Sequence, residues 1–451
     1  MPTVFDLIVR NGTVVNQNGT GLADIGVTNG TIMAIGDLGT SDAEKTIDAT
    51  GLTVLPGVID SQVHFREPGM EHKEDLASGA RAAVLGGVTS VFEMPNTRPT
   101  TTDAGALADK IERATGRMAC DFAFWFGATA DNTDDLADAE RLPGSAGIKM
   151  FMGSSTGDLL VDETEHVRRV LQSGRRRVAV HSEDETRLKE RAHLRVEGDA
   201  ASHPVWRDPR AAYLCTERLI RLAREAERRI HVLHISTADE LPLLAAHKDL
   251  ATAEATPHHL TLDARDYSTL GTLLQMNPPV RDISHQDALW EAIRSGIIDV
   301  LGSDHAPHTL EEKAATYPGS PSGMTGVQTL VPIMLDHVNT GRLSLERLVD
   351  LTSHGPNRIF GIARKGRIAI GYDADLTIVD MKENRVIENG AIASKAGWTP
   401  YDGKSVTGWP KGTIIRGMRV MWEDEIIGEP SGAPVRFIEG WTDPVSARNG
   451  L

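Results

Sequence analysis

Cysteine is nearly absent. Cys120 and Cys215 are the only two in 451 residues, far apart and in no CxxC pair. This excludes a disulfide framework and fits a reducing compartment. Positive charge is in deficit: 47 Lys+Arg against 63 Asp+Glu gives a net charge of −16. An acidic surface argues against nucleic acid or anionic membrane as the main partner. No run approaches 18 uninterrupted apolar residues, so no membrane span is expected. The opening Met1-Pro2-Thr3-Val4-Phe5-Asp6 has neither a basic n-region nor an apolar h-region, and a cytoplasmic location is expected. No Gly-rich dinucleotide loop follows the first long apolar strand, which weakens a doubly wound open sheet. What remains is ordinary globular composition, 40% hydrophobic and 24% charged. The length predicts one large barrel with a satellite, or two or three domains.

Asn11-Gly12 and Asn29-Gly30 each separate short apolar runs, a strong hairpin signal because a type I′ turn needs positive φ twice. A similar β texture returns at residues 366–370, 374–379 and 413–420. The two ends are therefore expected to pair as one β-domain. Between them, strands are predicted at residues 53–60, 88–92, 122–126, 147–151, 178–181, 230–234, 251–254 and 299–302. Helical patterns alternate with them at 75–85, 103–115, 210–229 and 285–295, with Gly116 as a stop for the second. Eight strands with intervening helices count out an α/β fold, a (β/α)8 TIM barrel. The expected division is 1–55 and 363–451 as the two parts of a small β-sandwich domain, and 56–362 as the barrel.

The polar residues sit where a barrel would use them. The first strand ends in Gln62 and His64, two apart and so on one side. On that stretch alone, a metal pair and one satisfied histidine are even alternatives. Lys149 lies on strand four, His181 ends strand five, His234 strand six, and Ser303-Asp304-His305-Ala306-Pro307-His308 strand eight. Five of eight strands ending in nitrogen or oxygen donors is hard to attribute to chance, and imidazole with carboxylate suits Zn²⁺ and related ions. Lys149 is the odd member, since an ammonium cannot ligate a cation. Desolvated beside a cationic site it tends to the neutral amine, which can take up CO₂ as a bridging carbamate; an ion pair with an acid is the plain alternative. His231 is expected to face the helix layer, His258 and His259 the mouth, His305 a structural role, and His308 the substrate. His72, His193, His203 and His285 read as surface or helix residues. Residues 153–157 and 318–326 are Gly- and Ser-rich and stand as candidate mobile covers or plain surface loops.

Several pieces resemble the amidohydrolase superfamily and, within it, the long class I dihydroorotases. They are His64-Phe65-Arg66-Glu67-Pro68-Gly69, Glu93-Met94-Pro95-Asn96-Thr97, Ile148-Lys149-Met150-Phe151-Met152-Gly153, Asn277-Pro278-Pro279-Val280-Arg281 and the strand-eight run. The resemblance covers nearly the whole chain. Allantoinases are similar but typically carry Asn where Arg66 stands, and hydantoinases lack the Phe-Arg-Glu-Pro-Gly piece. The resemblance implies one metal on His64 and Asp304, a second on His181 and His234, and Lys149 bridging as its carbamate: Zn²⁺, two ions or one. It implies Arg66, Asn96 and His308 on the substrate carboxylate, Asn277 at the ring, and Asp304 as general base then acid. The reaction would open dihydroorotate to N-carbamoyl-aspartate, reversibly, in pyrimidine synthesis. A homodimer or homotetramer is implied, or an assembly with aspartate carbamoyltransferase.

One departure stands out. The family has His-x-His on strand one, and here Gln62 fills the first place. An amide oxygen is a harder, weaker ligand than imidazole, so the first metal is expected to bind more loosely or be held by the other ligands alone. Two alternatives follow: an allantoinase- or hydantoinase-like cyclic amidase, and an inactive partner of aspartate carbamoyltransferase, toward which Gln62 alone leans.

Overall fold

Gly57 divides the first long apolar run between two sheets. The expected strand over residues 53–60 is in fact two: Thr53–Pro56 joins the sheet of the termini and Val58–Val63 opens the barrel. A Cβ on Gly57 would fall 2.4 Å from Thr89 Oγ1 and 2.8 Å from the Asp375 Cβ, so only glycine fits where the sheets part. The computed structural model describes residues 4–154 and 159–440.

The barrel strands run parallel in chain order: Val58–Val63, Val88–Glu93, Asp121–Gly127, Ser145–Phe151, Val178–His181, Ile230–Val232, Ala251–Ala255 and Val300–Leu301. A parallel bridge between Val63 and His305 closes the ring, and the His64 N–H donates to the His305 carbonyl at 2.7 Å. Alternate residues face opposite ways, as strand geometry requires. Val178, Val180, Ile230 and Val232 pack outward under Leu219 and Leu222 of the helix Pro209–Glu225. Ala123, Trp125, Ala179 and Leu233 face inward with Phe92 and Phe360. His231 belongs to the inward set, against expectation: its ring meets Phe360 edge-on at 5.2 Å and its Nδ1 lies 2.9 Å from Thr252 Oγ1. The strict period of two decides this, because Ile230 and Val232 take the outer face on either side of it.

The helices begin where the sequence provides caps. Asp75 accepts from Ser78 N ahead of Leu76–Leu85, Asp103 from Ala106 N ahead of Ala104–Ala114, and Asp208 from Ala211 N ahead of Pro209. Each cap contributes about 1 kcal/mol. No helix among the described residues is long and apolar enough to cross a membrane.

Both termini enter a nine-stranded mixed sheet. Leu376–Val386 pairs antiparallel with Thr53–Pro56, which joins the C-terminal strands to the N-terminal ones. Asn29 and Gly30, at φ 50° and 71°, make the expected tight hairpin. Asn11-Gly12 does not: Phe5–Asn16 is one strand with a bulge there, and only Asn11 has positive φ. Asp24 Oδ1 accepts from Asn11 N at 2.8 Å, so the bulge is held by a side chain rather than turned. Residues 366–370 form no strand; the Ile368 N–H binds Asn16 Oδ1 instead.

A buried ion cluster bolts the sheet to the floor of the barrel. Lys365 Nζ donates to Asp121 Oδ2 at 2.7 Å and also to Asp375, and Arg416 donates to Asp121 from the other side. Burial opposes the Lys365 charge, but the three aspartates around it outweigh that and hold its pKa above the usual lysine range. Replacing Lys365 with Met leaves the Asp375 carboxylate without its buried cation and Asp121 with Arg416 alone, and is expected to cost about 3–5 kcal/mol in urea unfolding. A loss below about 1 kcal/mol would show that the cluster does not tie the two parts together.

Candidate active site

The C-terminal ends of the barrel strands bring Gln62, His64, Arg66, Asn96, Lys149, His181, His234, Asn277 and Asp304 to one pocket, with Phe151, Met276, Ser322 and Gly323 completing the wall. Among the described residues, ten non-glycine residues have positive φ, and Arg66 (64°), His234 (39°) and Asp304 (47°) are three of them. Such backbone is unfavourable for L-residues and persists where the surroundings over-determine it, typically at functional sites.

Two donor pairs form at the rim. His181 Nδ1 lies 3.0 Å from His234 Nε2. His64 Nε2 lies 3.3 Å from Asp304 Oδ1. Two of the three imidazoles, His181 and His64, are oriented by the oxygen on the far side. His181 Nε2–H donates to Glu183 Oε2 at 3.0 Å, and His64 Nδ1–H donates to Asn96 Oδ1 at 2.8 Å. That leaves His181 Nδ1 and His64 Nε2 bare and facing their partners. Burial holds His64 and His234 well below the usual histidine range and lowers His181 as well, so all three are the neutral, ligating form. Burial raises the Asp304 carboxyl to about 7.

These donors fit a divalent cation. Two nitrogens on one tetrahedral zinc, each about 2.05 Å from it, stand roughly 3.3 Å apart, and both pairs lie within 0.3 Å of that. Gln62 Nε2 donates to Asp304 Oδ1 at 3.0 Å while Gln62 Oε1 is buried with no partner. Among the described residues no three His, Cys, Asp or Glu side chains gather as a ready cage. The reason is chemical: an amide and an amine, Gln62 and Lys149, hold two of the ring positions. Lys149 Nζ donates to the Met150 carbonyl at 3.1 Å and rests 3.6 Å above the Phe151 ring; among the described residues it has no acidic partner. Burial holds its pKa well below the lysine range.

The remaining predicted residues surround this centre. Arg66 is 1% exposed; its Nε donates to the Pro307 carbonyl at 3.1 Å, and burial brings its pKa down to about 10. His308 stands 3.3 Å from Arg66 Nη2; it takes a hydrogen from Lys73 on Nδ1 and gives one from Nε2 to the Ser322 carbonyl. Asn277 Oδ1 accepts from His203 Nε2 at 3.0 Å. His203 is thus a helix residue, as read, but buried at 1% exposure. His258 and His259 stand behind the wall, His259 Nε2 lying 3.2 Å from the carbonyls of Pro278 and Pro279. His305 is buried between Glu74 and the Gly326 N–H, a structural placement.

Four contributors escaped the sequence reading. Glu183 orients His181, and Arg207 Nε holds Glu183 at 3.1 Å. Burial would raise the Glu183 carboxyl, but Arg207 and His181 outweigh it and keep it ionised. Its only sequence signal is its place two beyond His181. Glu254 is the lone acid in Ala251-Thr252-Ala253-Glu254-Ala255, fully buried beneath the site, where it accepts from Ser61 Oγ at 3.1 Å. Lys313 donates to the carbonyls of Gln275, Pro321 and Gly323 at 3.2, 2.9 and 2.9 Å. It thereby pins part of the expected cover 318–326 to the Asn277 loop. Of the other expected cover, residues 155–157 lie outside the described residues.

Two outcomes follow for the donor set. Glu183→Gln should release metal about 10–100-fold more readily, read as retained metal after dialysis against a chelator; unchanged retention would remove Glu183 from the orienting role. Gln62→His should retain more metal per chain than the wild type under the same dialysis, and equal retention would show that position 62 does not reach a metal.

The Amidohydrolase family pattern matches residues 53–420. The chain is 38% identical over 440 residues to a dihydroorotase of Halobacterium salinarum, covering 97% of this chain and 100% of that protein. It is 34% identical over 436 residues to an allantoinase of Escherichia coli, covering 92% and 94%. Among solved structures it superposes on an L-hydantoinase (dihydropyrimidinase) from Arthrobacter aurescens with a TM-score of 0.90 and 32% identity, covering 96% and 100%.

Proposed function

The chain belongs to the amidohydrolase family, and from that premise we propose that it is a dihydroorotase: a cyclic amide hydrolase that opens dihydroorotate to N-carbamoyl-L-aspartate and closes it again. The observation that carries the reading is Arg66, a buried guanidinium in the wall of the same pocket as the paired donors. A neutral ring such as hydantoin gives such a charge no partner, whereas a planar fork matches a carboxylate in two hydrogen bonds.

The residues divide the work as follows. His64, Asp304 and the orphan oxygen of Gln62 would hold one divalent ion, His181 and His234 a second, with Lys149 between them as its carbamate; zinc suits this nitrogen-rich set. When bound, such ions supply Lewis acidity at the amide carbonyl and bring the pKa of water near neutrality. Arg66 grips the substrate carboxylate, with Asn96 and His308 beside it and Asn277 along the ring. The pocket wall thereby holds the ring amide toward Asp304. Water adds to the amide carbon and the carbon–nitrogen bond breaks. Asp304 takes a proton from the water and returns it to the departing nitrogen. Run backwards, the same groups close the ring, the direction pyrimidine synthesis in the cytoplasm would use.

The amidase alternatives rest on the allantoinase and L-hydantoinase likenesses. Turnover of dihydroorotate, allantoin and hydantoin by the metal-loaded protein separates them, and also separates an inactive partner subunit, which would turn over none. Arg66→Ala should raise KM for dihydroorotate about 100-fold, the order of two charge-assisted hydrogen bonds, and change hydantoin turnover little. A KM for dihydroorotate within about twofold of wild type would make the substrate assignment wrong.

A further inference from the structure

We propose that the floor of the barrel, the end away from the catalytic rim, carries a second binding site whose ligand is a small phosphate-bearing anion. Arg176, Arg177, Arg229 and Arg358 line one hollow there, about 260 Å³ in volume, with Phe360 and Phe437 among its walls. Arg176 and Arg177 immediately precede strand five, and Arg229 immediately precedes strand six. Parallel strands start at one end of a barrel and finish at the other, so these arginines lie opposite His181 and His234.

Among the described residues, positive charge in the hollow is under-compensated. Arg176 pairs with Glu439 at 3.3 Å. Arg358 stands 3.9 Å from Asp299, but that carboxylate already binds Lys248 and the Ala253 N–H. The Arg229 guanidinium has no hydrogen bond or ion pair among the described residues. Arg177 spends Nη1 on the carbonyls of Ile230 and Leu250, both at 3.1 Å, and its Nε is buried without a partner. Burial, with Arg229 and Arg358 nearby, brings Arg177 down to about 10. Four guanidinium groups in one hollow repel one another, and the fold contacts of Arg176 and Arg177 do not require Arg229 and Arg358 to stand beside them. Their gathering in a chain of net charge −16 makes sense if an anion joins them.

The geometry also says which anion. Arg177 is fixed by two carbonyls, and Arg176 lies 4.6 Å over the Phe437 ring, so two of the forks are pre-oriented. Several forks around one centre match the many oxygens of a phosphate better than the two of a carboxylate. The volume is near the lower end of small-molecule pockets, roughly 300–1,000 Å³, which suits a metabolite and not a protein segment. The aromatic walls leave two sources for the phosphate, a nucleotide or the free ion.

Titration calorimetry of the metal-loaded full chain with ADP and with inorganic phosphate, at about 0.1 M salt, tests this. At least one should bind saturably with Kd at or below about 1 mM. Binding should weaken at least tenfold in the double variant Arg229→Ala/Arg358→Ala and persist in Arg66→Ala, which reports on the catalytic pocket. Tighter binding of ADP identifies a nucleotide ligand, and similar affinities identify the phosphate group alone. Dihydroorotate turnover by the double variant should match wild type and so report an intact fold. The proposal is overturned if wild type binds neither probe, if the double variant binds as tightly as wild type, or if Arg66→Ala abolishes binding.

Discussion

An imidazole can hold a cation only through a bare nitrogen, and at this rim the choice of nitrogen is made by the atom on the other side of the ring. Glu183 takes the hydrogen of His181 Nε2, and Asn96 takes that of His64 Nδ1. Had either acceptor been apolar, the tautomer would be free and half the lone-pair density would point away from the centre. The Glu183 carboxylate must itself stay ionised in an interior that disfavours charge. Arg207 does this, and Arg207 also donates to the Ser154 carbonyl, fixing the start of the loop after strand four. A chain of contacts therefore runs from a loop, through a guanidinium and a carboxylate, to one ring nitrogen.

The barrel makes such chains possible because its interior is narrow and its polar groups can be stacked. Inward positions low in the barrel hold Trp125, Phe92 and Phe360. His231 and Glu254 lie between that layer and the donors, His231 against Phe360 and Glu254 accepting from Ser61. Burial, with Asp304 nearby, raises the Glu254 carboxyl to about 8. Gly302 fits this layer closely, since a Cβ there would fall 2.6 Å from Glu254 Oε2.

The architecture was legible because its signals are periodic: eight apolar runs, helical patterns between them, and a polar residue at the end of most strands. Most of the misreadings share a physical origin, a partner distant in sequence; His231 is the exception, since the local period of two places it. Residues 53–60 read as one strand because the local pattern is unbroken, and only contact with Thr89 and Asp375 shows why Gly57 must be the crossing. Asn11-Gly12 carries a turn signal, but Asp24 converts it to a bulge. His203 reads as a surface or helix residue and does sit on a helix, but Met276 and Asn277 draw it inside. Ligand types survive translation from sequence because strand ends are fixed points of a barrel. The groups that orient those ligands do not, because they come from whichever loop the closed ring brings near.

Gln62 is where sequence and geometry must be weighed together. As placed, its N–H binds Asp304 and its oxygen is buried without a partner, a state that costs about 1–3 kcal/mol. Turning the amide over moves the cost without removing it: the oxygen would then face the Asp304 carboxylate, lone pair against lone pair. Either orientation leaves an oxygen whose need is met by a cation, a water or a proton on Asp304. A residue that had lost its place in a metal site would be expected to drift to an apolar side chain, which leaves nothing unsatisfied. The amide keeps the donor-seeking character of the position with weaker binding, and His64 with Asp304 keeps the geometry around it. An ion on His64, Asp304 and the Gln62 oxygen would be held less tightly than one on the imidazoles of His181 and His234, of which His181 is oriented from behind by Glu183.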